Sequence, residues 1–302
     1  MKKFAFLSWA VVAALFFTAC ESSPKGYSVV DGVIVFDAPA RAEGQHSVLR
    51  LTTDPIPVVR VGFIGLGMRG PGAVERFTYL DGVEIKALCD LYPDRVEKSQ
   101  EILAGRNLPA AAAYSGEEGW KELCRRDDID LVYICTPWQL HVPMAVYAME
   151  HGKHVAVEVP AAMSLEECWQ LVDTAEKTQR HCMMLENCVY DFFELTTLNM
   201  AQHGLFGEII HTEGSYIHDL DPFWEHYQGN WRLDFNQSHR GDVYATHGLG
   251  PACQLLDIHR GDRMTRLVSM DTESINGLKT AKEKMGAETF ANGDQTGRGV
   301  PG

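Results

Sequence analysis

One short stretch constrains the fold of this chain more than any other. Gly65-Leu66-Gly67-Met68-Arg69-Gly70 follows directly on the β-branched run 58–64 and runs into Pro71. Gly65 permits a tight turn, Gly67 lets backbone approach a pyrophosphate, and Gly70 lets the next helix pack closely on the strand. The N–H groups opening that helix attract phosphate charge. A bare G-x-G-x-x-G also fits a glycine turn that merely closes a βα unit, so its context decides. A second apolar run, 83–88, leads to Asp90, whose carboxylate is placed to accept hydrogen bonds from an adenine ribose and to repel a 2′-phosphate. The expected ligand is a dinucleotide, NAD in preference to NADP, with Arg69 against its backbone.

From residue 58 the apolar periodicity alternates between strand and helix. Strands are expected at about 58–64, 83–89, 130–135, 154–158 and 181–186, and helices near 93–104, 117–126, 142–151 and 164–178. Ser164 with Glu166 and Glu167 forms an N-cap and an acidic first turn. This pattern predicts an α/β fold, a doubly wound parallel sheet of the Rossmann kind. After about residue 190 the pattern changes. A helix is expected from Phe192 to His203, alternating strands at Glu208–His218 and Met264–Ser274, and a helix within Tyr244–Ile258. That mixture predicts an α+β region with an open, mostly antiparallel sheet, incomplete because two strands need further partners to bury a face. The expected division is a signal at 1–20, a tether and lead-in at 21–57 with a strand near Val33–Phe36, a nucleotide-binding domain at 58–188 and a partial substrate domain at 189–302.

Length and charge bound the rest. The 302 residues are 45% hydrophobic and carry a formal charge of −14, which leaves no basic surface for nucleic acid or anionic lipid. Met1-Lys2-Lys3 and the apolar run 4–17 read as an export signal too short to span a bilayer permanently. Phe17-Thr18-Ala19-Cys20 resembles a lipobox, so Cys20 is the expected lipidated residue and a lipid anchor the expected membrane contact of an exported bacterial lipoprotein. No twin arginine precedes it. The other cysteines (89, 124, 135, 168, 182, 188 and 253) include no C-x-x-C pair and read as small buried hydrophobes. The histidines and carboxylates show no metal-ligand spacing, and no metal is expected.

Further motifs resemble a known group. Cys135-Thr136-Pro137-Trp138-Gln139-Leu140-His141 after the strand at 130–135, and Glu158-Val159-Pro160 after that at 154–158, look like the Gfo/Idh/MocA oxidoreductase superfamily. Glu186-Asn187-Cys188-Val189-Tyr190 and Tyr244-Ala245-Thr246-His247 narrow the resemblance to glycoside hydrolase family 109, NAD-dependent glycosidases described as α-N-acetylgalactosaminidases. The likeness runs from about Gly26 to Thr296, whereas 297–302 do not continue it, which reads as a C-terminally truncated chain.

The resemblance implies an NAD site at Gly65, Gly67, Met68, Arg69, Asp90, Trp138, Gln139, Leu140, His141, Glu158, Val159 and Asn187. It implies a sugar side at Tyr216, Arg232, Tyr244, Ala245, Thr246 and His247, and on it the expected catalytic residues are His247, as the general acid–base group, and Tyr244, which orients it or binds at the nicotinamide edge. His141 is expected to brace its loop. Phe223-Trp224-Glu225-His226-Tyr227 is placed to stack on a sugar or to fill core. Dehydrogenases of the superfamily usually carry lysine where Val159 stands, and relatives often have proline where Ala245 stands. The implied reaction is oxidation at C3 of the sugar, elimination at C1, addition of water and return of the hydride, an exception to two-carboxylate glycosidases. The alternatives are an NAD-dependent sugar dehydrogenase of the same fold and an inactive truncated lipoprotein.

Overall fold

The computed structural model describes residues 28–31, 33–36, 39–220, 222–223, 230–239, 242–272, 275, 279–280 and 283. The signal, Cys20, residues 224–227 and the stretch 291–302 lie outside them. The chain divides into two compact units at Arg41/Ala42. In the smaller one, β1 (Ser28–Val30) pairs antiparallel with β2 (Val33–Val35).

The larger unit is built on six parallel strands: β3 (Val59–Ile64), β4 (Val83–Asp90), β5 (Ala112–Ser115), β6 (Leu131–Ile134), β7 (His154–Val157) and β8 (Cys182–Met184). Their order is β5-β4-β3-β6-β7-β8. The chain runs outward from the centre in one direction, returns, and runs outward in the other, so the loops after β3 and β6 diverge and leave a crevice at the carboxyl ends of the strands.

Strict alternation explains why both faces are covered. Val61 and Phe63 of β3, Leu88 of β4, Tyr133 of β6 and Ala156 of β7 enter one buried cluster, with Ala73, Val74, Val96 and Leu103 from α1 (Gly70–Phe77) and α2 (Pro93–Gly105). The intervening residues Ile64, Ala87, Cys89, Val132, Ile134, Val155 and Val157 enter the other. That face is covered by α3 (Gly119–Cys124), α4 (His141–Glu150) and α5 (Leu165–Thr178). Where a strand is covered by helices on both sides its residues are apolar in succession, as in 61–64, 87–89, 131–134 and 155–157, whereas Arg60, Glu84 and Lys86 fall at the less buried amino ends of β3 and β4. The Ser164 hydroxyl accepts the Glu167 amide at 3.1 Å, and the Glu167 carboxylate accepts the Met163 amide at 2.7 Å, closing the start of α5.

Residues 42–57 belong to the larger unit, where the Gln45 amide donates to Asp173 (2.8 Å) and Glu176 (3.0 Å) on α5. Beyond β8 come α6 (Phe192–Gln202), α7 (Trp231–Ser238) and α8 (Ala245–Leu255).

Three differences from the sequence reading have physical causes. Strand β5 was not anticipated because Ala112-Ala113-Tyr114-Ser115 has no β-branched residue; pairing with β4 makes it a strand. Helix α7 was not anticipated either; Asn230 caps it by accepting the Arg232 amide at 3.0 Å. The antiparallel sheet expected from 208–218 and 264–274 is not formed among the described residues, where the only pairing past β8 is an isolated bridge between Ile258 and Asp262. Within this segment Gly214 and Tyr216 meet α8 instead. A Cβ on Gly248 would sit 2.6 Å from the Gly214 backbone, so two glycines let main chain meet main chain where a ladder partner was expected.

Candidate active site

The glycine loop lies over the switch point of the sheet. Its Gly65 amide donates to the Cys89 carbonyl at 2.9 Å, and the Cys135 amide donates to the Ile64 carbonyl at 2.8 Å. Gly65 has φ +92°, and a Cβ there would stand 2.7 Å from the Cys135 carbonyl carbon; a Cβ on Gly70 would collide with the Gly65 carbonyl. Both positions therefore require glycine for close backbone approach. Asp90 closes the same loop from below. Its buried carboxylate accepts the Leu66 amide (2.6 Å) and the Tyr92 amide (3.0 Å), with Arg95 at 3.4 Å. The acid expected to meet a ribose thus also holds the loop in shape. Across the crevice the Thr136 hydroxyl is buried without a hydrogen-bond partner, and such a group favours a ligand that brings one. These residues fit a dinucleotide.

Glu158 follows β7. Its buried carboxylate accepts the Tyr133 hydroxyl at 2.8 Å and the Arg69 Nε at 3.3 Å, so Arg69 is tied to an acid of the crevice rather than standing alone. His141, 1% exposed, has Nδ1 2.7 Å from the Pro160 carbonyl and Nε2 2.8 Å from the Thr136 carbonyl. Burial holds its imidazole below the usual range against the upward pull of those two carbonyls. Both nitrogens face backbone carbonyls and the neutral ring donates to one of them, so His141 packs between the loop after β6 and the loop after β7.

Above this crevice sits an aromatic cluster. Trp138, Val159 and Tyr244 are buried together, with Met184, Tyr216, Trp231, Phe235 and Val243 against them. The Trp138 ring meets Trp231 and Phe235 edge-on at 4.7 Å and Tyr244 at 5.3 Å. The Arg232 guanidinium lies 5.2 Å from the Trp138 ring centre and 5.1 Å from that of Trp231, and its buried Nε has no hydrogen-bond partner. Apolar packing thus joins the loop after β6 to α7 and α8, the elements that carry the expected sugar-side residues.

His247, on the first turn of α8, stacks beside Tyr244 at 5.1 Å and lies 5.1 Å from Tyr216. Its Nδ1 stands 2.6 Å from the Glu186 Oε1, and both side chains are close to fully buried. The same oxygen accepts the Cys188 amide at 2.9 Å. Burial pushes the Glu186 carboxyl up, but the polar groups facing it, the Thr246 hydroxyl, the His247 ring and the Cys188 amide, outweigh it and hold the group below its usual range. An ionised carboxylate only accepts, so His247 carries its proton on Nδ1. One donor atom each of Glu186, Cys188 and His247 falls within 4.8 Å of the others. Burial raises the Cys188 thiol, as do Glu186 and Asp191, so the set is a hydrogen-bonded acid–imidazole pair beside a protonated thiol.

The structure therefore brings together Trp138, Val159, Tyr216, Arg232, Tyr244, Thr246 and His247. Met68, Gln139, Leu140, Asn187 and Ala245 are exposed on the rim, Met68 at 70%. Two clefts flank the pair. One of about 340 Å³ is lined by Met184, Glu186, Thr246 and Arg260, the other of about 280 Å³ by Glu194, Glu213, Ser215 and His247. Sequence reasoning quoted Glu186 and Thr136 only as members of motifs, gave neither a role in the site, and did not name Tyr133. Glu186 carried a usable signal, an acid at the carboxyl end of the last strand, whereas its partner stands 61 positions away.

Of the seven cysteines read as buried, only Cys89 and Cys124 are fully so, and Cys168 is exposed because it occupies the solvent side of α5.

Comparison with known proteins agrees with this geometry. Residues 59–186 match the family model described as oxidoreductase family, NAD-binding Rossmann fold, and residues 190–296 match that of the glycosyl hydrolase 109 C-terminal domain. Glycosyl hydrolase family 109 protein 1 of Bacteroides fragilis is 62% identical over 290 residues, covering 95% of this chain and 62% of the relative. The family 109 protein of Porphyromonas gingivalis is 61% identical over 294 residues, covering 96% and 63%. The chain thus spans a little over three-fifths of the length of these relatives. A crystal structure described as a myo-inositol dehydrogenase from Sinorhizobium meliloti superposes with a TM-score of 0.51 at 19% identity, over 66% of this chain and 56% of that one, a likeness of fold alone. Two adjoining family matches and relatives more than 60% identical across nearly its whole length establish that this chain belongs to glycosyl hydrolase family 109, with an NAD-binding Rossmann fold as its first part.

Proposed function

We propose that the protein is an NAD-dependent glycosidase acting on α-linked N-acetylgalactosamine with no net redox change. The observation that carries this reading is the placement of an oriented imidazole, His247 on Glu186, beside the same aromatic cluster that buries Val159 at the mouth of the nucleotide crevice. Valine holds no proton. His247 is the residue we assign to proton transfer at the sugar, and a lysine-assisted alcohol oxidation has no lysine at position 159.

The cofactor would be held by the glycine loop, Asp90, Arg69 and the loop after β6; when bound, it supplies reversible hydride acceptance from C3 of the sugar, which acidifies the neighbouring C2 proton. His247 takes that proton and returns it. Tyr216 and Tyr244 pack beside the imidazole and would offer phenols to sugar hydroxyls, while the Arg232 Nε–H would offer a donor to the acetamide carbonyl. Residues 58–188 would form the cofactor domain and 189–302 the substrate side. Tethering by lipid at Cys20 on the exported face of a bacterial membrane belongs to the same proposal, since a redox-neutral cycle draws on no cofactor pool; the mass of the amino-terminal peptide tests it.

Assay of the NAD-loaded protein with p-nitrophenyl α-N-acetylgalactosaminide is expected to release nitrophenol without net NADH. Accumulation of NADH in step with product would instead favour a sugar dehydrogenase. No release and no NADH would favour a chain that binds without turnover.

A further inference from the structure

We propose that Glu186 is the positioning residue of the site: it orients the His247 ring, fixes the proton on Nδ1 and leaves the lone pair on Nε2 for the substrate. The inference rests on His247 acting as the acid–base group and adds the residue that makes it one.

The geometry is that of a supported base. The 2.6 Å separation of Nδ1 and Oε1 is short for an N–H···O contact, as expected when the acceptor is charged. Side-chain exposures of 11% for His247 and 8% for Glu186 keep water from competing. The ring also packs against two tyrosines that touch each other, Tyr244 stacked at 25° and Tyr216 inclined at 36°, each 5.1 Å away, so the hydrogen bond sets its rotation where packing already restricts it. The two partners come from different parts of the fold. Glu186 closes the parallel sheet after β8, and His247 opens α8, so the bond also ties the nucleotide-binding half to the elements carrying Tyr244 and Thr246. The general logic is that a base must be held in one tautomer to accept a proton at one nitrogen.

The competing role is structural. Glu186 Oε1 also accepts the Cys188 amide at 2.9 Å and caps the short turn Cys188–Tyr190. Glu186→Gln separates the two, because glutamine keeps the oxygen that the amide needs and removes the negative charge that polarises the His247 ring and fixes its tautomer. In the NAD-loaded protein, Glu186→Gln is expected to lower kcat by about tenfold or more with KM changed by less than about threefold, and Glu186→Asp to recover part of the loss. Independently, nitrogen NMR of histidine-labelled protein, with His247→Gln to assign the signal, is expected to give one Nδ1–H tautomer in the parent and a mixture in Glu186→Ala. Full kcat in Glu186→Gln overturns the proposal, as does an unchanged single tautomer in Glu186→Ala. Should Glu186→Ala fail to fold, the kcat of Glu186→Gln decides. A parent protein that hydrolyses no sugar would remove the glycosidase reading alone, because the tautomer measurement needs no substrate.

Discussion

Replacing Asp90 by alanine separates the two tasks that meet at this carboxylate. As a ribose acceptor, Asp90 would matter only when NAD is bound. As the brace seen here, it matters in the empty protein too. The Leu66 amide, 2.6 Å away, is buried and has this carboxylate as its acceptor. Losing a charge-assisted bond and stranding the amide costs about 2–3 kcal/mol. The Tyr92 amide at 3.0 Å is partly exposed, and its loss costs about 1 kcal/mol because water replaces the acceptor. Arg95, at 3.4 Å with a side chain 42% exposed, contributes almost nothing after solvent screening. The sum is about 3–4 kcal/mol, which at roughly 2–4 °C per kcal/mol for a unit of this size lowers Tm by about 6–16 °C. Thermal unfolding should be followed with and without NAD. Saturation at about a hundred times Kd adds about 2.7 kcal/mol to the parent. An Asp90→Ala protein melting within about 2 °C of the parent without NAD, and losing only the NAD-induced rise, would refute the brace.

Gly65→Ala places a side chain where φ is +92° and the Cys135 carbonyl is 2.7 Å away; strain of about 1–2 kcal/mol plus the displaced loop should weaken NAD binding measured by calorimetry, and undiminished affinity would contradict the close approach. Val159→Lys puts an amine beside Trp138 and Tyr244 and is expected to let NADH accumulate during turnover of the sugar; an unchanged NADH trace would show that this position does not govern redox neutrality. The Arg60 guanidinium, hydrogen-bonded to Asp130 at 2.6 Å, holds that carboxyl below its usual range. A depressed folded-state pKa stabilises the protein above the unfolded value near 3.9, and the effect fades as pH falls through the lower folded value. Asp130→Asn should therefore reduce the urea midpoint at pH 7 and approach the parent below about pH 4; a gap that widens in acid would contradict the pairing.

The nucleotide-binding half was legible because its determinants are local. A β-branched run, a turn that only glycine can make, and helix starts such as Ser164–Glu167 each declare themselves within a few residues. Where local preference was weak, the reading missed elements: Ala112–Ser115 is a strand only through its pairing with β4. In the second half, alternation at 208–218 looked like a strand, but alternation states only which residues share a face and needs a partner to become a sheet. Here that face meets α8 through Gly214 and Gly248.

The candidate site divides along the same line. Sequence alone determined the parallel fold and the position of the nucleotide crevice, because strand periodicity and glycine spacing are properties of neighbours along the chain, and the resemblance to a family drew attention to His247, Tyr244 and Val159. Tertiary structure decided what those residues do to one another. It put Glu186 against His247 across 61 positions, turned Asp90 inward onto the glycine loop, faced both nitrogens of His141 to backbone carbonyls, and enclosed Arg232 among aromatic rings. Hydrogen bonds and burial act over a few ångströms of space, and sequence separation carries no measure of that distance until the chain has folded.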